Sequence, residues 1–571
     1  LSIPTYGKIS GTIIDSSTKK PVENVNIIYG DFGSTSDKEG RFFIDVSEGY
    51  KLKFSHIGYE IKYEQAKDGM QIGLVRSILY SKNIIVKGGL IEESLKENTS
   101  SVAIFSSDDI VKSGADHFQL IIERIPNLNW AGGTSRPRYF QIRGVGERSH
   151  YFGEGPPNFS VGFNLDDLDL SGLGMTGHLY DIGQIEILRG PQSSVYGANA
   201  LAGVVSIRSK NPNDKFDAGF SLDFGQYDYK NLKAHINFPL IKNLKMRLNI
   251  GRSYHNGFRN NISRSLSNSN NRNEQFFRLK LKFQTLKKFD FLLTLLSSDL
   301  DNGYDAWAPD NNKEFNTYTD DIGKDSQETK GISMRSNILF SDNFKILSIS
   351  SITKTDLIHS YDSDWADDSY WLNEHGFDPL VLGYSYKYFD ENVKERKNIT
   401  QEFRTIVKKG KNSFISGFYL KNLTEIDTAS GYLYGGEATQ ASSVFNFDAY
   451  AAYIKGKMYL NDKIIVDASL RFEKNDYEYS GVSQYDYYGL TELPSVNFKM
   501  DTVMLGFKSS ISYFLNKRSN YFISVSRGFK SGGVNQHPYL SELNRPYSPE
   551  FIRNFELGFK YFNNFNTLMI T

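Results

Sequence analysis

Apolar and polar residues alternate along much of the chain after residue 215. Residues 277–283 place four large apolar side chains on one face and three cations on the other, and residues 466–473 repeat the pattern with three charges. A period of two residues predicts β-strands, because successive side chains of a strand point to opposite faces. We expect the charged faces of these strands to point into water and the apolar faces to be dry.

The length and the number of these strands favour a membrane β-barrel over a soluble sandwich, which gives the same alternation. The expected connections also differ in length: residues 242–243 lie in a short turn, whereas residues 361–383 and 431–443 read as long polar loops. Short turns at one end and long loops at the other are typical of outer-membrane barrels. Residues 215–571 allow roughly 15–17 strands at about 20–24 residues per strand and turn.

The segment before residue 80 has a different pattern. Its short alternating strands are separated by turn residues, for example around residues 8–15, 41–44 and 52–55. This spacing predicts a small β-sandwich that folds separately from the rest of the chain.

Residues 96–212 mix strand and helix signals. Residues 101–105 read as a strand, Asp108 or Asp109 can cap a short helix that ends at Gly114, and residues 117–125 read as a second helix stopped by a proline. The pattern predicts a mixed α/β domain between the sandwich and the long strands.

Composition narrows the functional classes. The 571 residues carry 66 Lys plus Arg and 66 Asp plus Glu, so no overall charge favours nucleic acid as a partner. There is no cysteine, which removes disulfides and thiolate metal sites. No run of about 18 apolar residues occurs, which excludes a helical membrane protein. The 36 Tyr and 41 Phe suit a chain of many strands.

No motif predicts catalysis or a metal site. The chain carries no phosphate-binding loop and no recognisable nucleophile–base motif, and its histidines lack the spacing of metal ligands. Aspartates cluster at residues 166–169 and 362–368, but neither spacing fits a calcium-binding loop such as the EF-hand. We therefore expect solvated loops at both clusters, no resident cofactor or metal, and no enzyme activity.

Two stretches carry a specific pattern. Residues 184–207 read as a strand, an Arg-Gly-Pro turn, a small-residue segment and a second strand, and residues 141–146 contain an Ile-Arg-Gly motif. In this order they resemble the plug domain of TonB-dependent outer-membrane receptors. Residues 8–59 resemble the carboxypeptidase regulatory-like domain that precedes many such receptors and has no catalytic residues of its own.

The resemblance implies a mainly β fold with four parts. These are a regulatory-like β-sandwich, a TonB-box linker, a mixed α/β plug and a large antiparallel transmembrane β-barrel, at residues 1–80, 81–95, 96–212 and 213–571. Barrels of this family have about twenty-two strands. The chain ends inside an expected strand, so we expect a barrel truncated at its C-terminus.

The resemblance also implies a lock between plug and barrel. Arg143 and Arg189 match plug arginines that pair with barrel glutamates in siderophore receptors, and Glu556 matches one of those glutamates. Arg527 stands where such receptors often carry the other glutamate, so Glu402 is the candidate substitute. The alternative is that the two arginines only tie plug strands together.

A TonB box is expected just before the plug. Such a box pairs with an edge strand of TonB, which requires an extended segment with free backbone groups. The candidate residues are Asn83, Ile84, Ile85, Val86 and Lys87. The alternative is that this segment is the last strand of the sandwich.

Ligand should meet the top of the plug and the inner wall near the long loops. Cations and aromatic rings there would suit anionic, aromatic ferric siderophores. The candidates are Arg136, Arg138, Tyr139, Arg148, His150, Tyr151, Trp307, Trp365 and Trp371. The alternative is that the aromatic residues form membrane girdles and that the charges are only solvated.

The resemblance implies TonB-dependent import across the bacterial outer membrane, with the N-terminal domain in the periplasm. The expected cargo is a ferric siderophore, with cobalamin, haem and oligosaccharide as alternatives. The expected partners are TonB, outer-membrane lipid and the small-molecule ligand, and not nucleic acid. A secreted adhesin or carbohydrate-binding protein would explain the alternation but not the plug motifs.

Overall fold

The computed structural model describes residues 8–30, 32–56, 59–75, 85–131, 133–147, 157–285, 288–383, 385, 387–486, 490–562 and 567–571. None of the helices in this part of the chain combines the length and the apolar composition needed to cross a membrane.

The N-terminal unit is a β-sandwich, as the sequence predicts. Two sheets, ordered β4-β1-β7 and β3-β2-β5-β6, enclose a core in which the rings of Phe42 and Phe54 meet edge to face at 5.6 Å. The strands are β1 (Lys8–Asp15), β2 (Asn26–Tyr29), β3 (Phe32–Thr35), β4 (Arg41–Asp45), β5 (Lys51–Ser55), β6 (Lys62–Gln65) and β7 (Met70–Leu74).

The next unit, here called the plug, mixes strands and short helices. Its elements are β8 (Ile85–Val86), β9 (Glu93–Ser94), β10 (Ser101–Ser106), α1 (Ser107–Ser113), α2 (Gln119–Ile122), β11 (Leu128–Asn129), β12 (Gln141–Ile142), β13 (Val145–Gly146), β14 (Val161–Leu165), β15 (Leu168–Asp169), β16 (Ile182–Arg189), α3 (Ser193–Tyr196) and β17 (Gly203–Ser209). Its main sheet has the order β10-β16-β17-β14-β15, in which β14 and β17 are parallel.

The cap of α1 differs from the prediction. Ser106 is the N-cap and accepts a hydrogen bond from the Asp109 backbone N–H, while the Asp109 carboxylate accepts from the Ser106 backbone, which forms a capping box. Asp109 is therefore the third residue of the helix and not its cap. Gly114 ends the helix at φ 68°, as expected. The second predicted helix is shorter than residues 117–125, because α2 covers only four residues.

A sixteen-stranded antiparallel sheet forms the rest of the chain. Its strands are β18 (Asp217–Gly225), β19 (Tyr229–Ile241), β20 (Leu244–His255), β23 (Arg272–Thr285), β24 (Phe289–Tyr304), β26 (Gly323–Ser341), β27 (Phe344–Asp362), β28 (Phe389–Lys409), β29 (Asn412–Leu433), β30 (Ala438–Tyr459), β31 (Ile464–Asp486), β32 (Leu490–Glu492), β33 (Val496–Asn516), β34 (Ser519–Lys530), β37 (Glu550–Phe562) and β38 (Thr567–Ile570). Each of the long strands pairs with its neighbour in sequence, and β32 pairs with β31. Within the described residues, β18 and β38 form no ladder with each other.

The connections hold the remaining elements. Short strands are β21 (Arg259–Asn261), β22 (Leu266–Ser269), β25 (Asn316–Thr317), β35 (Gly533–Val534) and β36 (Pro546–Tyr547), and the helices are α4 (Asp368–His375) and α5 (Pro379–Leu382). Connections of a few residues lie at one end of the sheet, for example at residues 342–343 and 517–518, and long ones lie at the other. We call these the short-turn end and the long-loop end.

The predicted long loop at residues 431–443 is wrong. Strands β29 and β30 extend through most of it, and only residues 434–437 connect them. The segment is rich in glycine, serine and other small residues, so its composition resembles that of a loop, although its backbone continues the ladder to the end of the hairpin.

The predicted alternation of apolar and charged faces is present, but the prediction that the charged face points into water is wrong. In β31, Phe472 is 54% exposed on the outside of the sheet, whereas Arg471 and Glu473 are buried. Arg278 and Lys280 of β23 are buried in the same way. These charges face the plug and not water, because the plug lies in the hollow of the curved sheet.

Both polar and apolar contacts place the plug in this hollow. Plug residues bond to strands from β20 round to β37, including Arg247 of β20, Lys421 of β29 and Glu556 of β37. The apolar core of the plug extends to Leu296 and Leu357 on the sheet. The plug is therefore held on several sides by the sheet.

Phe163 is the central side chain of the plug core. It is fully buried, and its ring stacks on Phe140 at 5.5 Å and contacts Phe118 at 6.0 Å. We expect Phe163→Ala to lower the stability of the plug by about 3–5 kcal/mol. Limited proteolysis of the purified protein in detergent should show faster cleavage within the plug. Val111→Ala removes an exposed side chain of α1 and should leave the cleavage rate unchanged; equal rates for both variants would contradict this packing.

Candidate functional site

The segment that leads into the plug is tied to it. β8 pairs antiparallel with β9, with Ile85 opposite Ser94 and Val86 opposite Glu93. Val86 is 1% exposed and belongs to an apolar cluster that includes Leu188 of β16. The alternative interpretation of Ile85 and Val86 as the last strand of the N-terminal sandwich is therefore wrong. Asn83 and Ile84 lie outside the described residues.

Glu186 of β16 fixes the backbone of this segment. Its two carboxylate oxygens accept from the N–H groups of Lys87 and Gly88, each at 2.7 Å. Gln184 donates to the Ile85 carbonyl at 2.7 Å. Hydrogen bonds to a charged acceptor are stronger than neutral ones. Glu186 therefore acts as a clamp on residues that the sequence analysis assigned to the TonB box.

The sheet also holds the segment that follows, residues 90–100, which we call the linker. Four basic side chains of the sheet bond to it from near the short-turn end. The contacts are Lys455–Glu93 at 2.6 Å, Lys457–Glu97 at 2.9 Å, Arg404 to the Leu90 carbonyl at 2.9 Å and Lys560 to the Leu95 carbonyl at 3.1 Å. The linker thus joins the Glu186 clamp to the wall of the sheet.

Arg143 and Glu556 form an ion pair between plug and sheet. Arg143 Nη1 lies 2.7 Å from Glu556 Oε1, and Glu556 is largely buried. The Arg-Gly-Pro turn packs against this pair, since a Cβ on Gly190 would lie 3.4 Å from both atoms. Arg189 donates to the Pro126 carbonyl at 3.2 Å and forms no ion pair among the described residues.

The sequence predicts that Glu402 pairs with a plug arginine, but the structure shows other partners. Its carboxylate is engaged by Arg404, at 2.9 and 2.7 Å, and by the hydroxyl of Tyr453, and not by Arg143 or Arg189. Arg404 in turn donates to the linker. The expected contact of Glu402 with a plug arginine is therefore wrong; its effect on the plug passes through Arg404.

Arg136 and Arg138 are not surface cations. Arg136 makes a bidentate pair with Glu274 of β23, at 2.8 Å for both bonds, and Arg138 pairs with Asp325 of β26. Both arginines are at most 5% exposed. Direct contact of these arginines with ligand stays a prediction; in this structure they donate to the sheet acids and, within the plug, to Gln119 and Met175. The sequence shows the cations but not the acids that face them.

The acidic residues of the plug at positions 166, 167 and 169 are also paired and not solvated. Asp166 accepts from Lys280 at 2.7 Å and Asp169 from Lys421 at 2.8 Å. Asp167 lies between Arg208 of the plug and Arg335 of the sheet, at 2.6 and 2.5 Å. These contacts were missed by the sequence analysis. The sequence feature that could have indicated this pairing is the row of cations on the inner faces of the strands.

Aromatic side chains gather at the long-loop end. Trp307 and Trp365, from different loops, stack with ring centres 6.3 Å apart and are 44% and 43% exposed. Trp371 of α4 does not join this pair and instead contacts Tyr370 and His375. The exposed faces of Trp307 and Trp365 are thus accessible from outside the sheet.

The other predicted ligand residues lie elsewhere or outside the described part. Tyr139 is partly buried in the plug and stacks on Phe159 at 5.7 Å. Arg148, His150 and Tyr151 fall outside the described residues. Of the predicted set, only Trp307 and Trp365 form an exposed pair within the described residues.

A polar cavity of about 480 Å³ lies beside the linker. Its wall combines linker residues, plug acids and sheet cations, among them Ile91, Asp167, Lys280 and Arg335. The linker therefore forms one wall of this cavity between the plug and the sheet.

The domains have matches among known families. Residues 94–204 match the family described as TonB-dependent Receptor Plug Domain, and residues 9–84 match the family described as CarboxypepD_reg-like domain.

Curated relatives match over part of their length. The ferric enterobactin receptor PirA of Pseudomonas aeruginosa is 31% identical over 138 residues, which cover 22% of this chain and 18% of that protein. The vitamin B12 transporter BtuB of Vibrio vulnificus is 22% identical over 257 residues, which cover 44% of this chain and 41% of that protein. The matches thus span about a fifth and two fifths of these relatives.

Solved structures share the fold over most of the chain. The ferric yersiniabactin uptake receptor FyuA of Yersinia pestis superposes with a TM-score of 0.69 at 16% identity, covering 81% of this chain and 70% of that one. The siderophore receptor PiuA of Acinetobacter baumannii gives 0.63 at 13% identity, covering 82% and 71%. At these identities the likeness establishes the fold.

The Glu186 clamp can be tested by amide exchange. Glu186→Gln removes the charge and leaves one of the two backbone N–H groups facing an amide nitrogen. A lost hydrogen bond to a charged group costs about 1.5–3 kcal/mol, so we expect amides of residues 85–92 to exchange roughly tenfold to a hundredfold faster in hydrogen–deuterium exchange.

Glu92→Gln is the matched control, because this substitution removes the same charge from an exposed side chain nearby. Its exchange rates should equal those of the unsubstituted protein. Unchanged protection in Glu186→Gln would show that Glu186 does not hold the segment.

Proposed function

We propose that this chain, which combines a TonB-dependent receptor plug domain and a CarboxypepD_reg-like domain with the fold of siderophore receptors, is an energy-coupled importer of a scarce small molecule. The observation that carries the proposal is a folded plug held in the hollow of a sheet mainly by polar contacts. Such contacts can be exchanged for water one at a time, since a hydrogen bond to a charged group contributes about 1.5–3 kcal/mol net. The proposal is binding and transport, not catalysis.

The sheet would lie in the bacterial outer membrane. Its outward face is apolar, with Phe220, Phe418 and Phe555 each more than 60% exposed, which suits contact with lipid. The short-turn end would face the periplasm together with the N-terminal sandwich, and the long-loop end would face outward. This orientation places Trp307 and Trp365 on the side from which ligand arrives.

TonB would act on the segment around Ile85 and Val86. β-Augmentation requires an extended segment whose backbone groups are free, and here they are engaged by β9 and by Glu186. The segment must therefore leave the clamp before TonB can pair with it. A pull on residues 83–87 would then be transmitted through the linker to the barrel cations that hold Glu93 and Glu97.

The proposed cargo is a ferric siderophore. The named relatives include receptors for ferric enterobactin and ferric yersiniabactin, and one transports vitamin B12. The stacked pair Trp307 and Trp365 offers flat apolar surface with exposed faces, which suits aromatic chelators. Cobalamin, haem and oligosaccharide are the competing cargoes, and the following experiment separates the first two from a ferric siderophore.

Deleting residues 83–88 should abolish transport and leave ligand binding intact, because the deletion removes the segment pulled by TonB but none of the loop aromatics. Uptake and surface binding of radioiron-labelled ferric enterobactin and ferric yersiniabactin, of labelled haem and of labelled vitamin B12 would be measured in cells producing the protein.

A strain without TonB is the control, and it should show the same binding without uptake. Transport that persists after the deletion would refute the box assignment. Uptake of haem or vitamin B12 alone would refute the siderophore assignment.

Replacing both Trp307 and Trp365 with alanine should weaken ligand binding by on the order of tenfold, because truncating an aromatic anchor typically costs more than about 1 kcal/mol. Equilibrium binding of the transported ligand to whole cells measures the change. Leu380→Ala, which removes an exposed apolar side chain from the same loop, should have no effect. An equal affinity in the double variant would place the ligand elsewhere.

A further inference from the structure

Three aspartates converge where two long loops meet. Asp320 precedes β26, Asp362 ends β27, and Asp364 follows it in the next loop. One carboxylate oxygen from each lies within 4.8 Å of the others. Asp362 and Asp364 are only 4% and 3% exposed. An acidic cluster on a solvated surface would not be buried in this way.

Backbone groups from both loops orient the carboxylates. Asp362 accepts from the N–H groups of Asp320 at 2.9 Å and Trp365 at 3.3 Å. Oδ2 of Asp364 accepts from the Tyr388 N–H at 2.6 Å. The remaining oxygen, Oδ1 of Asp364, is buried and has no hydrogen-bond partner. A buried polar atom without a partner is costly, and a cation at this position would satisfy it.

The charges around the cluster do not balance. Asp362 and Asp364 are buried, and a carboxylate oxygen of each lies within 4.8 Å of the other and of Asp320, so these negative charges are poorly solvated. Among the described residues, the basic side chain paired with the cluster is Lys387, which lies 3.7 Å from Asp320 and is 60% exposed. Three carboxylates this close repel one another unless a proton or a cation lies among them.

We propose that Asp320, Asp362 and Asp364 form a calcium site that joins the two loops. The donors are oxygens alone, which suits a hard cation and not zinc or copper. Calcium accepts variable geometry and completes its shell with water or carbonyl oxygens, whereas magnesium demands near-ideal octahedral coordination. Three loop carboxylates supply the charge that a divalent ion requires.

The site adjoins the exposed tryptophans but does not depend on the cargo assignment. Trp365 follows Asp364 directly, and its backbone N–H bonds to Asp362. Calcium would therefore fix Trp365 relative to Trp307, which comes from the loop that carries Asp320. Calcium binding can be measured without any cargo, so its failure and the failure of the import proposal are distinguishable.

The test is isothermal titration calorimetry of the detergent-solubilised protein, freed of metal with a chelator, against calcium chloride. We expect saturable binding of one calcium per chain and much weaker binding of magnesium. Asp364→Asn should weaken calcium binding by on the order of tenfold or more. Asp368→Asn is the matched control. The Asp368 carboxylate accepts from the Ser385 hydroxyl at 2.6 Å and lies outside the cluster, so the affinity of this variant for calcium should be unchanged.

Hydrogen–deuterium exchange provides a second measurement that needs no variant. Calcium should slow exchange at the amides of Asp320, Trp365 and Tyr388 together, because one ion would order both loops. Absence of saturable binding, equal binding by Asp364→Asn, equal affinity for magnesium, or unchanged exchange in both loops would each overturn the proposal.

Discussion

The pairing of buried charges across the interface between plug and sheet is the constraint on which the rest of the structure depends. Burying a single charge costs several kcal/mol unless an opposite charge and further hydrogen bonds compensate it. The inner face of the sheet carries Lys280, Arg335 and Lys421, and the plug places a carboxylate against each. Without the plug these side chains would face a wide water-filled hollow; with it, they hold a separate domain in place without an extensive apolar interface.

The polarity of these pairs changes along the hollow. Near the long-loop end plug cations meet sheet acids in Arg136–Glu274 and Arg138–Asp325, although Lys530 of β34 pairs there with Glu147 of the plug. Near the short-turn end the sheet supplies the cations, and the linker supplies acids such as Glu93. A force applied through the linker therefore acts first on pairs of the second kind. The buried pairs at the long-loop end can persist while the linker is displaced.

The sequence predicts the strands, the sandwich and the plug, because alternation and turn residues are local signals. It does not predict what lies opposite a given face. The charges of β31 were therefore expected in water, and Arg136 was expected at a ligand surface, although its partner Glu274 lies 138 residues away in the chain. The same limit explains the acidic cluster of the loops: Asp362 and Asp364 are near each other in sequence, but Asp320 joins them only through the fold.

The position of the linker couples the two parts of the proposed mechanism. A pull on the linker would also open the space between the plug and the sheet. Its acids and carbonyls are bound by cations of the sheet, while Glu186 holds the residues just before it. Residues of the same stretch form one wall of the polar cavity of about 480 Å³. In the proposed mechanism, displacing the linker would break its polar contacts and enlarge that cavity together. Because the exposed groups are charged, water replaces the lost partners at modest cost, and the remaining plug core, which is apolar around Phe163, need not unfold.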